Sequence, residues 1–361
     1  MEERITEELS RLVAIRSESG YEQGILAYLE ERLQALGFPP FRQNVLGDRF
    51  NLIWTPHPRP KILLSAHVDT VPTFGHPELY SPRIEKGRLY GRGSVDTKAG
   101  IASILIALEL AREKGMEAPN CAVAFTVDEE QEGLGSKILP EAVWAEGAVV
   151  LEPTELMICP AEAGSIEVRI EIIGTQAHGG NFEAGENPII KAVSLIQAFE
   201  GLSFIQGYHP LVGKGGFNIM EIKGGGNALI VPERCELFMD FRILPGQDVK
   251  EVMGELIRLF EREKVKAEFV DVDPPFELKE EEPVVRLMKQ AYRRALGEEP
   301  RIGGIRSWTD AGYLVSGGIP SVVFGPGELA VAHTPWENVE LSEVIAATKV
   351  LYHVIEEVSN I

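Results

Sequence analysis

The chain has 361 residues, 44% hydrophobic and 25% charged, enough apolar content for a sizeable core, so disorder and a fibrous repeat are excluded. Asp and Glu number 55 against 35 Lys and Arg, a net charge of −20. A body this acidic repels polyphosphate, which argues against nucleic acid and anionic membrane surfaces as partners.

The opening MEERITEELSRLVAI shows no secretory leader and reads as helix, with Ile5, Leu9, Leu12 and Val13 at helical spacing. A second helix is expected from about Glu22, with Ile25, Leu26, Leu29, Leu33 and Leu36 on one stripe, stopped by Gly37, Pro39 and Pro40. Short apolar strands then alternate with helices: strand 62–64, helix 99–114, strand 121–127 and strand 148–151. That rhythm predicts a mostly parallel sheet with helices on its faces. The run Ala99–Leu108 is far shorter than the roughly 20 residues of a membrane span. Cys121, Cys159 and Cys235 are odd in number and outside any CxxC spacing, which fits a reducing cytoplasm and no disulfide scaffold.

The texture changes near Ala161. Residues 166–173 alternate apolar and charged, as a half-exposed strand does. A helix over 188–199, a strand over 237–241, a helix over 249–263 and a strand over 266–270 follow. The segment predicts a smaller α+β domain in β-α-β-β-α-β order, with 271–277 as a hinge carrying Pro274 and Pro275. Beyond it the α/β texture returns with helix 283–296, strand 321–324 and helix 341–358. One α/β domain, 1–162 and 274–361, is thus expected to be interrupted by an insert, 163–273.

In an open parallel sheet, ligands collect at the carboxyl ends of the strands. His67-Val68-Asp69 lies close after the first central strand. Gly91–Gly93 leads to Asp96, Asp128-Glu129-Glu130 follows strand 121–127, Glu152 follows strand 148–151, and His333 comes after strand 321–324. Taken singly these are ordinary turns and acidic loops. Together, histidines and carboxylates on one rim would repel each other strongly without cations. The donor types suit zinc, manganese or cobalt, and their number fits two ions sharing one carboxylate. Two residues apart, His67 and Asp69 face one side, so Asp69 can accept the second imidazole N–H.

The runs LLSAHVDTVP, GRGSVDTKAGIAS, TVDEEQEGLGS, LEPTE, GTQAHGG, DFR, TDAGYL and FGPGELAVAHTPWE resemble the dinuclear zinc amidohydrolase and metallopeptidase family. That family includes acetylornithine deacetylase, succinyl-diaminopimelate desuccinylase, aminoacylase and glutamate carboxypeptidases. The resemblance runs from about Arg11 to Glu357 and implies a zinc-exopeptidase-like fold with an inserted lid and dimerisation domain. It implies five metal ligands, His67, Asp96, Glu130, Glu152 and His333, with Asp96 bridging and a cis peptide just after it. Glu129 is the implied general base, Asp69 the orienter of His67, and His178 the oxyanion donor reaching a partner's site. Arg242 and Asn227 match lid positions that contact substrate.

The expected activity is metal-dependent hydrolysis of the amide bond of a small N-acyl amino acid, in a cytoplasmic homodimer holding two divalent ions, zinc before cobalt or manganese. The competing readings are a dipeptidase or carboxypeptidase with the same metals, acting on short peptides, and a catalytically silent binding or oligomerisation protein.

Overall fold

The strands Ile62–His67, Cys121–Thr126, Ala148–Val150 and Ser321–Val323 are buried along their whole length, as parallel strands covered on both faces must be. In the computed structural model, which describes residues 1–226 and 228–359, they pair parallel in the order 121–126, 62–67, 148–150, 321–323. An antiparallel hairpin, Phe41–Leu46 with Arg49–Trp54, extends the sheet beside Cys121–Thr126. On the other side Ile158–Glu162 joins Ser321–Val323, antiparallel, through Cys159 and Val323.

The period of two along each strand divides the packing. Ile62, Leu64, Ala66, Val123, Phe125 and Val149 join one core with helices Glu2–Ala14, Gln23–Ala35, Lys98–Glu113, Pro283–Leu296 and Leu341–Ser359. The intervening Leu63, Ala122, Ala124 and Ala148 are equally buried and point the other way, to the side packed by Leu134–Ala142 and Asp310–Ser316. Each fully buried Leu, Ile or Phe contributes about 1.5–3 kcal/mol, so the scaffold under the strand ends is strongly stabilised.

The chain divides into two compact units: residues 1–160, 278–303 and 309–361, and residues 161–277 with 304–308. In the second unit an antiparallel sheet runs in the order Gly216–Gly224, Arg234–Ile243, Gly164–Ile173, Lys266–Asp273. With helices Pro188–Phe199 and Val249–Glu263 the chain order is β-α-β-β-α-β, as the sequence suggests. The helices start on side-chain caps: Asn187 accepts from Ile189 N–H with Pro188 at the first position, and Asp248 accepts from Glu251 N–H. The core is alternate strand residues, Ile166, Val168, Ile170 and Ile172, against Phe199, Leu256 and Phe260. Phe199 meets Phe241 edge-on, with ring centroids 5.0 Å apart. The segment expected as a hinge holds the end of Lys266–Asp273 and the short strand Phe276–Glu277, which pairs with Ile158–Glu162.

Candidate active site

In the first unit the parallel strands deliver their polar residues at one end. His67 is the last residue of its strand, Asp128–Glu130 come just after Cys121–Thr126, and Glu152 follows Ala148–Val150. Asp96 stands just before helix Lys98–Glu113, and the Asp96–Thr97 peptide is cis. His333 sits in the loop between Ser321–Val323 and the last helix, with φ +62°.

These side chains converge. Ligand-type atoms of His67, Asp96 and Glu152 lie within 4.8 Å of one another, as do those of Asp96, Glu130 and His333. Asp96 belongs to both groups and turns one oxygen to each: Oδ1 is 3.0 Å from His67 Nε2, and Oδ2 is 3.2 Å from His333 Nε2. Glu152 Oε1 is 3.5 Å from His67 Nε2, and Glu130 Oε2 is 3.0 Å from His333 Nε2. Glu129 Oε2 is 4.0 Å from His67 Nε2.

Charge is out of balance here. Burial, then the charges of Glu152, Glu130 and Asp310, hold the Glu129 carboxyl well above the usual carboxylate range against the pull of His67. Burial and Asp96 also hold Glu152 well above that range, and raise Glu130 against the pull of His333 and His67. His333 is raised to about 10 by hydrogen bonds to Asp96 and Glu130. Burial would lower His67, but the Glu152 and Glu129 charges outweigh it and hold the imidazole well above its ordinary value. Without ions, protons must therefore fill the role of cations. Glu152 Oε1 is buried with no hydrogen-bond donor, a costly state that a cation relieves. The donor set, imidazoles and carboxylates with no thiolate, fits zinc, cobalt or manganese.

Other residues hold this cluster in place. The main-chain carbonyl of Asp69 lies 3.0 Å from His67 Nδ1, and its carboxylate oxygen Oδ1 stands at 3.6 Å. That carboxylate instead accepts the N–H groups of Glu129 and Glu130, each at 3.1 Å, and the Ser19 hydroxyl at 2.6 Å. Glu337 accepts from the main-chain N–H of Val95 at 3.2 Å and of Asp96 at 3.4 Å, and pairs with the buried Arg92 at 2.5 Å. Asp310 is buried behind the cluster, with Oδ2 taking the Thr126 hydroxyl at 2.6 Å. Sequence reasoning assigned no role to Ser19, Arg92, Asp310 or Glu337. A signal existed for three of them, since Arg92, Asp310 and Glu337 lie inside the GRGSVDTKAGIAS, TDAGYL and FGPGELAVAHTPWE runs.

The remaining expected residues belong to the second unit. His178 is exposed, and its Nδ1 accepts the Gly180 N–H at 3.0 Å, which places the proton of the neutral ring on Nε2. Arg242 pairs with Asp240 at 2.6 Å, Asp240 is held by the Ser165 hydroxyl at 2.7 Å, and Arg242 Nη1 is buried without an acceptor. Asn227 lies outside the described residues.

Comparison with known proteins gives the family. Residues 63–357 match the Peptidase family M20/M25/M40. Acetylornithine deacetylase of Myxococcus xanthus is 30% identical over 354 residues, covering 91% of this chain and 90% of that protein. A putative [LysW]-lysine/[LysW]-ornithine hydrolase of Pyrococcus furiosus is 28% identical, covering 99% of this chain and 98% of that one. A tripeptidase structure from Staphylococcus aureus superposes with a TM-score of 0.84 at 24% identity, over 100% of this chain and 99% of that chain, and shares its fold. An acid-rich site built at the ends of parallel strands, and a match over most of the chain's length, place this protein in the M20/M25/M40 peptidase family.

Proposed function

We propose that this M20 hydrolase removes a small acyl group from an N-acyl amino acid, using two divalent ions, zinc first among them. His67, Asp96 and Glu152 would hold one ion, and Asp96, Glu130 and His333 the other. The observation that carries the reading is the division of the Asp96 carboxylate between two ligand groups, one oxygen to each. Bound there, the ions supply Lewis-acid polarisation of the scissile carbonyl and a more acidic attacking water.

The chain's own residues do the rest. Glu129 takes the proton of the attacking water and returns it to the leaving nitrogen as the C–N bond breaks. Its burial and acidic neighbours raise its affinity for a proton, which suits a group that must take one from water. The amide clamp from Asp69 keeps Glu129 and Glu130 side by side, one for the proton and one for the ion. The Nε2–H of His178 would donate to the oxyanion. Arg242, steadied by Asp240, would meet the substrate's free carboxylate with its remaining N–H groups. The second unit would act as lid and dimerisation domain. Supporting that, Ile190 and Val193 of its first helix are 66% and 49% exposed, and its edge strand Gly216–Gly224 exposes Ile219, Met220 and Ile222. The cytoplasm is the proposed compartment.

A hydrolysis screen of the zinc-loaded protein against N-acetyl, N-succinyl and N-formyl amino acids and dipeptides tests this. Turnover of one acyl series is expected. Turnover of dipeptides alone would replace the deacylase by a peptidase. No turnover with both ions bound would favour a silent binding protein.

A further inference from the structure

Arg49 is nearly buried beside the site and takes no part in the chemistry above. It opens the strand Arg49–Trp54, and its side chain is 13% exposed. Its guanidinium sits between two carboxylates: Nη1 meets Asp128 Oδ1 at 2.7 Å, and Nη2 pairs with Glu22, at the start of helix Gln23–Ala35. Those carboxylate side chains are 2% and 1% exposed.

Asp128 is the knot of the turn that presents Glu129 and Glu130. Its backbone is left-handed, φ +73°, a conformation uncommon for a residue with a Cβ though more accessible to aspartate than to most. Its carbonyl accepts the N–H of Gln131 at 3.3 Å and of Gly133 at 2.7 Å, and its Oδ2 accepts the N–H of Leu134 at 3.4 Å. Asp69 grips the next two amides of the same turn. The turn is thus held at its far end by Asp69 and at its root by Arg49. A planar guanidinium can hold two carboxylates at a fixed angle, which an ammonium cannot.

We propose that Arg49, backed by Glu22, is a positioning residue for Glu129: by pinning the Asp128 carboxylate it fixes the direction in which the neighbouring Glu129 side chain is delivered. The proposal rests on Glu129 being the base of the reaction proposed above.

Arg49→Met alone strands two buried carboxylates and can prevent folding, so Arg49→Lys carries the test. The charge-balanced pair Glu22→Gln/Arg49→Met is read in the same way where the lysine variant does not fold. Expected for Arg49→Lys is a kcat lower by about 10- to 100-fold, the scale of a sub-ångström to one-ångström misplacement, with KM little changed. Metal content should stay at the parent value, and amide exchange over 127–131 should quicken in the ion-free chain. In a Glu129→Gln background the same substitution should cost about twofold or less, because no base remains to be misplaced. If Glu129→Gln abolishes turnover while a folded Arg49→Lys keeps full kcat and exchange protection, the positioning role is refuted. An equal loss in both backgrounds, or a loss confined to KM, also refutes it. If Glu129→Gln itself turns over normally, the assignment of the base is wrong and the role built on it falls.

Discussion

Arg92→Met should produce a stability deficit that grows with pH. Arg92 and Glu337 form an ion pair at 2.5 Å with side chains 2% and 1% exposed. Removing one partner of such a pair costs about 3–5 kcal/mol if the other stays charged. Glu337 has a way to avoid that cost, because burial and the Asp96 charge already push its carboxyl up to about 7, against the opposing pull of Arg92. In the parent chain Glu337 therefore binds a proton more tightly folded than unfolded, and its contribution to stability falls as pH rises from its ordinary 4.5 to about 7, then levels off. Without Arg92 the folded-state value moves higher, so the fall continues past pH 7 at about 1.4 kcal/mol per pH unit. The two proteins should differ least near pH 6 and diverge above pH 7 toward the full deficit. Urea unfolding of both in chelator, at several pH values from 6 to 9, measures this directly. Glu337→Gln added to Arg92→Met keeps a carbonyl oxygen for the Val95 and Asp96 amides and removes the charge, so it should restore most of the stability lost at high pH. A deficit independent of pH, or a double variant no more stable than the single one at high pH, would refute the reasoning.

Glu129→Gln should lower kcat by about 10²–10⁴-fold with metal content intact, whereas His67→Ala or Asp96→Ala should lose metal; elemental analysis beside turnover separates the two classes. Chelation should destabilise the chain more at high pH: His333, raised from 6.5 to about 10, adds stability at low pH that is lost as pH rises through that window. The elevated Glu129 and Glu152 act in the same direction, so calorimetry of chelated against loaded protein at two pH values inside the window should show the gap widening. Arg242→Lys keeps the charge but loses the two-pronged donor, so KM should rise about tenfold for substrates with a free carboxylate and change little for the matching carboxamides.

The parts of the fold legible in the sequence were those whose burial leaves a period. The amphipathic helix Val249–Glu263 and the alternating strand Gly164–Ile173 declare themselves in this way. Phe41–Leu46 does not, because it is a largely exposed edge strand, although Gly47-Asp48 beside the apolar run of Arg49–Trp54 is a hairpin turn signal. Gly216–Gly224, another exposed edge, is hidden for the same reason. Ile158–Glu162 is masked by Pro160. At the site, the residues that face the cluster were legible because most of them stand at or just after the end of a strand. Their supports were less so: the spacing marks Asp69 only as a partner of His67 and not as the acceptor for Glu129 and Glu130, and the others are pairings between distant parts of the chain, Arg92 being 245 residues from Glu337 and Ser19 50 from Asp69.

One physical distinction separates supports from candidate ligands, and it concerns where each carboxylate oxygen spends its lone pairs. Both oxygens of Asp69 are taken by protein donors, the amides of Glu129 and Glu130 and the Ser19 hydroxyl. Both oxygens of Glu337 are likewise engaged, one by two main-chain N–H groups and one by Arg92. Acids engaged in this way already have protein donors on both oxygens and serve as scaffolding. Asp96 and Glu130 instead meet imidazole nitrogens that can exchange a shared proton for an ion, and Glu152 Oε1 has no donor at all. Asp310 falls between: Oδ2 is bonded to Thr126, burial raises its carboxyl against the Ser136 and Thr126 hydroxyls, and the charge it carries acts through space to raise Glu129 and Glu152. Asp310→Asn should therefore leave the number of bound ions unchanged while shifting the acidic limb of the pH–rate profile to lower pH. An unshifted profile would mean that this charge is screened from Glu129 once the ions are in place.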